Sequence, residues 1–160
     1  MPFQKIQWLF PIAVALHNAE EAISMPGWVA AHSGQIPFHR SVHPEPFRIW
    51  GGLLALTLAA FVVTFFSARR GKESVWAYLS FGFAVAMLAN VLVPHVLATL
   101  VFGGYTPGVA TAVLVNLPVM SILLFRAVRE GWVTGTKAVV YAVLVPLGLV
   151  VGIVALFSAP

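Results

Sequence analysis

Hydrophobic positions in this chain come in long blocks, with none of the alternation of a half-buried strand. Four blocks, at about residues 47–66, 75–102, 107–125 and 138–157, contain a single charged residue between them, Arg48. Each is near or above the roughly 20 residues that a helix needs to cross hydrocarbon. A fifth block, about 6–24, has the length but is broken in its middle. It is apolar from Trp8 to Leu16 and then reads His17-Asn18-Ala19-Glu20-Glu21. Helices satisfy their own backbone hydrogen bonds in lipid and neighbours can shield the polar half, so this block is also read as a span. The pattern predicts an all-α, polytopic transmembrane bundle of five helices, forming one domain over residues 1–160.

Local signals refine the helices. Thr106-Pro107-Gly108 reads as an N-cap followed by proline at the first position of the fourth helix. Pro94, Pro118 and Pro146 fall inside the third, fourth and fifth helices and should kink them. Gly148 and Gly152, and Gly51, Ala55 and Ala59, place small residues every four positions, a spacing suited to close helix packing. Lys5 before an apolar stretch has the outline of a signal peptide. No small-residue cleavage site follows, so the segment is expected to be retained. Residues 25–46 form a long connection with four prolines and His32, His39 and His43. It is expected to be either a solvated connector or a lid over the outer mouth.

Basic residues set the expected orientation. Lys5, the group Arg69, Arg70 and Lys72, and the group Arg126, Arg129 and Lys137 fall on one side of the five spans, against Arg40 and Arg48 on the other. By the positive-inside rule the N-terminus is cytoplasmic and the C-terminus outside, in a multi-pass protein of the cell inner membrane.

Composition agrees: 60% of residues are hydrophobic and 9% charged, and the mean hydropathy is +0.93. Soluble domains carry about a quarter charged residues. The net charge of +4 is explained by topology, and nucleic acid is not an expected partner. Without cysteine, neither disulfides nor thiolate chemistry is available. The expected partners are the membrane and a lipid or other hydrophobic small molecule; self-association is left open.

The chemistry lies in the interrupted first helix. Positions i, i+3 and i+4 share a helical face, so His17, Glu20 and Glu21 point the same way. Other polar residues within spans are few, chiefly Asn90, His95 and Asn116. At 1.5 Å per residue, His17 and His95 each lie roughly 10 Å below the outer ends of their helices. Asn90 is roughly 7–8 Å deeper than His95, and Asn116 lies roughly 13 Å below the outer surface. All fall in one layer of the outer half, and a kink at Pro94 would turn Asn90 and His95 towards one cavity.

A charge at the membrane centre costs on the order of 2.5–3.5 kcal/mol by insertion scales, so both carboxylates need a partner, a proton or a cation. Three readings follow. In the first, His17, Glu20, Glu21 and His95 hold a divalent metal, zinc or iron, for which neutral imidazoles and carboxylates are suitable ligands. Glu20, Glu21 and Asn90 then carry catalysis, while Asn116, Arg48, His39 and His43 contact substrate. In the second, the same carboxyl and imidazole groups perform metal-free acid–base chemistry, with Asn and His stabilising an oxyanion. That inventory is similar to the parts used by the CAAX-prenyl protease superfamily, though order and spacing differ. In the third, the polar network simply holds the helices together, or binds lipid, or carries a cation or proton. The inner halves offer few polar residues, mainly Thr64 and Ser80, so a through-route is poorly marked.

The motif His17-Asn18-Ala19-Glu20-Glu21 resembles the signature of the HXXEE domain family, small integral membrane proteins of bacteria with no assigned reaction. The likeness extends over essentially the whole chain. It implies His17, Glu20 and Glu21 as the family's residues and implies nothing about the others. The combined expectation is a membrane-embedded enzyme, hydrolase or oxidoreductase in type, acting on a lipid-like substrate in the outer half of the bilayer.

Overall fold

The structure, a computed structural model, describes residues 1–32 and 46–158, with side chains to residue 156. After a short turn at Phe3–Ile6 come five helical rods and, among the described residues, no strand. They are α1 (Leu9–Ala31), α2 (Pro46–Arg70), α3 (Val75–Phe102), α4 (Val109–Arg129) and α5 (Gly135–Ser158). Helices α2 to α5 are each long and apolar enough to cross a membrane.

Helix α1 has the length but carries the polar motif, and its burial pattern shows how the two are reconciled. Phe10, Ala13, Val14, His17, Asn18 and Glu21 are buried, whereas Leu9, Ile12, Leu16 and Ile23 form an exposed apolar stripe. The hydrophilic face is therefore turned into the bundle and an oily stripe is left outside, the pattern of an amphipathic helix inverted for lipid.

Phe10, Val14, Phe83, Met87, Met120 and Leu123 pack the centre of the bundle. At one end the chain ties its turns together. Phe3 N–H donates to Glu130 Oε2 at 3.0 Å, Lys72 Nζ to the Glu130 carbonyl at 2.5 Å and Gln4 Nε2 to the Ala68 carbonyl at 3.0 Å. Arg126 bonds both Glu130 and the Met1 carbonyl. The N-terminus, the α2–α3 turn and the α4–α5 turn thus share one end of the bundle.

Several local expectations need correction. The first helix does not stop at Ser24 but runs on through Pro26 to Ala31, so the first part of the expected 25–46 loop is helical. Proline leaves the carbonyl four residues back without its donor. Here that carbonyl, on Ala22, accepts the Trp50 indole N–H at 3.0 Å, so the interruption is satisfied from α2. Most of the remaining loop, including His39 and His43, lies outside the described residues.

The fourth helix begins at Val109, and its cap is Gly108 in the left-handed region (φ 81°). Thr106 does not cap it; its hydroxyl instead bonds the Thr99 hydroxyl at 2.8 Å and the His95 carbonyl at 3.3 Å. Nor are the small-residue stripes interfaces. Gly51, Gly148 and Gly152 have nothing within 4 Å of an added Cβ, whereas at Gly52 a Cβ would fall 2.9 Å from Leu156 Cδ2. The close approaches are set by different glycines.

A kink appears where proline predicts it in α3, whereas helical structure continues through Pro118 and Pro146. Val93 leaves helical geometry (φ −130°, ψ 113°) just before Pro94, inside a widened turn at Val91–Val96. A second widened turn, Ala112–Asn116, precedes Pro118. Such π-type turns re-aim the side chains that follow them.

Candidate functional site

The break in α3 sets the site. Asn90 and His95 are five residues apart, yet Asn90 Nδ2 lies 2.9 Å from His95 Nε2 and 3.3 Å from His17 Nε2. The two imidazoles meet edge to face with centroids 4.7 Å apart. Both are almost fully buried, at 1% and 3% exposure.

The far nitrogen of each ring fixes its tautomer. His95 Nδ1 lies 2.9 Å from the Pro107 carbonyl, which can only accept, so Nδ1 carries the proton. His17 Nδ1 lies 3.0 Å from Thr111 Oγ1. That hydroxyl donates to Glu20 Oε2 at 2.5 Å and therefore accepts from His17. Neutral His17 and His95 thus both present an unprotonated Nε2 to the same point.

Glu21 completes the group. Its Oε1 is 3.6 Å from His95 Nε2 and 3.9 Å from His17 Nε2, and its carboxylate makes no hydrogen bond to a described residue. The ligand atoms of His17, Glu21 and His95 all lie within 4.8 Å of one another, a buried group that could hold a metal ion. Tetrahedral ligands at about 2.0–2.1 Å from a zinc ion lie roughly 3.3–3.5 Å apart, so the group would have to draw together and Asn90 Nδ2 move aside to hold one. Outer-shell bonds from Nδ1 to a carbonyl or hydroxyl are the usual way a protein orients such imidazoles.

The adjacent carboxylates have different surroundings. Glu20 accepts the backbone N–H groups of Thr111 at 2.8 Å and Ala110 at 3.3 Å, and the Tyr105 hydroxyl at 2.6 Å. It caps the start of α4 from a neighbouring helix, where a negative charge is favourable. Burial, and then the bond to Glu20, holds the Tyr105 phenol above its ordinary value, so it remains a donor at neutral pH. Of the two, Glu21 belongs to the compact group, and Glu20 reaches it through Thr111.

Gly108 makes room for this. An added Cβ would fall 2.6 Å from His95 Cε1, 2.9 Å from His17 Cε1 and 3.0 Å from Glu21 Cγ. Asn18, inside the motif, locks α1 to α2 by donating to the Leu53 carbonyl at 2.9 Å and to Thr57 Oγ1 at 2.8 Å.

His17, Asn18, Glu21 and Asn90 form the polar side of a cavity of about 500 Å³ between α1, α2, α3 and α5. Its other walls are apolar. The expected substrate residues stand differently. Asn116 is fully buried with both side-chain polar atoms unpartnered, and it is not on the cavity wall. Arg48 reaches the Leu156 carbonyl at 3.5 Å and also lies off that wall. Thr111, Tyr105, the Pro107 carbonyl and Gly108 were not singled out from the sequence as site groups.

Fold and site together define a polytopic α-helical membrane protein with a buried His/Glu cluster. A profile of the family described as "protein of unknown function with HXXEE motif" matches residues 8–124, and the chain belongs to that HXXEE family. It is 30% identical over 151 residues to the uncharacterized protein YrkK of Bacillus subtilis (strain 168), covering 94% of this chain and 89% of the relative. No solved structure matches.

Proposed function

We propose that the protein is a membrane-embedded enzyme of the cell inner membrane, hydrolase in type, acting on a hydrophobic substrate at a divalent-metal centre held by His17, His95 and Glu21. One observation carries the reading: three acceptor atoms, two Nε2 lone pairs and a carboxylate oxygen, converge in a buried site with both outer ring nitrogens already tied. Acceptors facing one another need a cation, a proton or a donor between them, and a divalent ion would serve all three at once. Two histidines and a carboxylate leave a position open on zinc or ferrous iron. A metal there would polarise a substrate carbonyl and generate a nucleophile from water.

The chain's own groups supply the rest. The second carboxylate oxygen of Glu21 is free to take the proton of the attacking water. In hydrolysis of an ester the water oxygen bonds to the acyl carbon, the acyl C–O bond breaks, and that proton passes to the leaving alkoxide. With both Nε2 atoms engaged by a metal, the Asn90 amide hydrogens would be free to donate to the developing oxyanion.

A second reading has its own observation. Asn90 Nδ2 already donates towards both Nε2 atoms, closing the network without an ion and leaving Glu21 as a metal-free base. Turnover of a long-chain nitrophenyl ester by purified protein, before and after chelation, separates the two. Hydrolysis abolished by chelation and restored by zinc or iron supports the metal enzyme. Hydrolysis that survives complete metal removal supports the second reading and overturns the first.

A further inference from the structure

The cavity beside the cluster has a definite chemistry. Its volume, about 500 Å³, is in the range that takes a small organic ligand, roughly 300–1,000 Å³. Its walls run along the N-terminal half of α2 and the C-terminal half of α5, through Leu53, Leu56, Leu149, Val150 and Ile153, and along α3 past Met87. Polar groups are confined to the side where α1 meets α3. The space is therefore asymmetric, an oily compartment with one polar side.

The polar side limits the headgroup. Among the described residues no Lys or Arg lines the cavity, and Glu21 is the one carboxylate on its wall. A phosphate or sulfate head would enter beside Glu21 with no basic side chain to offset it. The cluster also lies well inside the bundle: His95 is seven residues before the end of α3, roughly 10 Å of helix. A large zwitterionic head would have to be stripped of water to reach it. A small neutral head with a hydroxyl or ester group meets neither obstacle.

The outer mouth between α2 and α5 is pinched. Gly52 approaches Leu156 so closely that a Cβ would fall 2.9 Å from Cδ2, and Arg48 Nη1 reaches the Leu156 carbonyl. Below that point both helices line the cavity. Helix α5 packs Tyr141, Val145 and Leu149 against the bundle core and leaves Val139, Val143, Leu147 and Val151 exposed. A route from the bilayer therefore runs sideways, between α2 and α5.

We propose that this cavity is a chain-binding site for a neutral single-chain amphiphile, a long-chain alcohol or its ester, taken laterally from the outer half of the bilayer with its oxygen placed at His17, Glu21 and Asn90. This rests on, and narrows, the reading of the cluster as an enzyme centre for a hydrophobic substrate.

The test is photo-crosslinking of the full chain in mild detergent with a diazirine-bearing hexadecanol, the modified residues being mapped by mass spectrometry. Labelling should concentrate at 49–56 and 146–156, and excess hexadecanol should reduce it by about tenfold. Equal competition by palmitate or by an anionic phospholipid would overturn the neutral headgroup. Labelling spread evenly over α5, unaffected by hexadecanol, would overturn the site itself. A Leu53→Trp, Leu149→Trp variant, which fills the space, should lose the label, and the competition in the parent protein stands even if that variant fails to fold. Metal content read on the same preparations keeps the two proposals apart. Specific labelling of metal-free protein supports the chain site and overturns the metal centre, and bound metal with unspecific labelling does the reverse.

Discussion

A Cβ on Gly108 would press on both imidazoles and on Glu21 at once, and the residue sits at positive φ. Gly108→Ala should therefore destabilise the protein by about 1–3 kcal/mol through overpacking, and it should disturb the His17–Glu21–His95 group. Gly104→Ala is the control. It has nothing within 4 Å of an added Cβ and no positive φ, so its effect should stay within about 0.5 kcal/mol. Thermal unfolding of the two variants in the same detergent checks this, and equal melting temperatures would refute it. The residue scale also shows what the sequence could disclose. His17, Glu21, Asn90 and His95 stand out because a polar group in an oily run needs a reason. Thr111 and Tyr105 do not stand out, since a threonine inside a span or a tyrosine at its edge is ordinary in a membrane helix. The Pro107 carbonyl, which fixes the His95 tautomer, is backbone and has no signature at all. Glu20 and Glu21 differ in role only because α4 begins beside one of them.

At the scale of elements, the length of α3 was legible, where hydrophobicity decides, while α2 runs on past 66 to Arg70 and α5 starts before 138 at Gly135. The end of α1 was not legible, because Pro26 normally ends a helix and the compensating donor comes from another helix. Trp50→Phe removes that donor from the Ala22 carbonyl. The expected cost is about 0.5–1.5 kcal/mol, confined to the C-terminal part of α1. Hydrogen exchange should show faster exchange over residues 27–31 and little change below His17. Unchanged protection there would mean that Trp50 does not support the proline-containing turn. The start of α4 was misread for a related reason: Thr106 has the chemistry of a cap, but the carboxylate that does the capping is Glu20, distant in sequence. Small-residue stripes misled because every fourth position of a membrane helix is often small whether or not a neighbour lies there.

At the scale of the whole molecule, the all-helical architecture was legible from the apolar blocks, and the chain does bring His17, Glu21, Asn90 and His95 together, whereas Asn116, placed in the same layer, bonds none of them. The end of the bundle that carries the basic clusters gathers around Glu130. Its carboxyl is held below the ordinary glutamate value, chiefly by the Phe3 N–H and then by Arg126 and Lys72. A group whose native value is lowered contributes stability that is present above its unfolded value and is lost as pH falls through the native one. Glu130→Gln should therefore be less stable than the parent protein at neutral pH and should lose less on acidification below about pH 4.5, both read as melting temperature against pH. Parallel curves for the two proteins would show that Glu130 does not tie this end together.

The buried His/Glu cluster is best tested by elemental mass spectrometry of the purified protein. The metal reading predicts near-stoichiometric zinc or iron in the parent protein and none in His17→Ala or His95→Ala. Glu20→Gln, which touches the cluster only through Thr111 and the start of α4, should keep its metal with affinity lowered by about 10- to 100-fold. A folded parent protein with no metal above the detergent blank after incubation with zinc and iron would contradict it, as would metal content unchanged in both histidine variants.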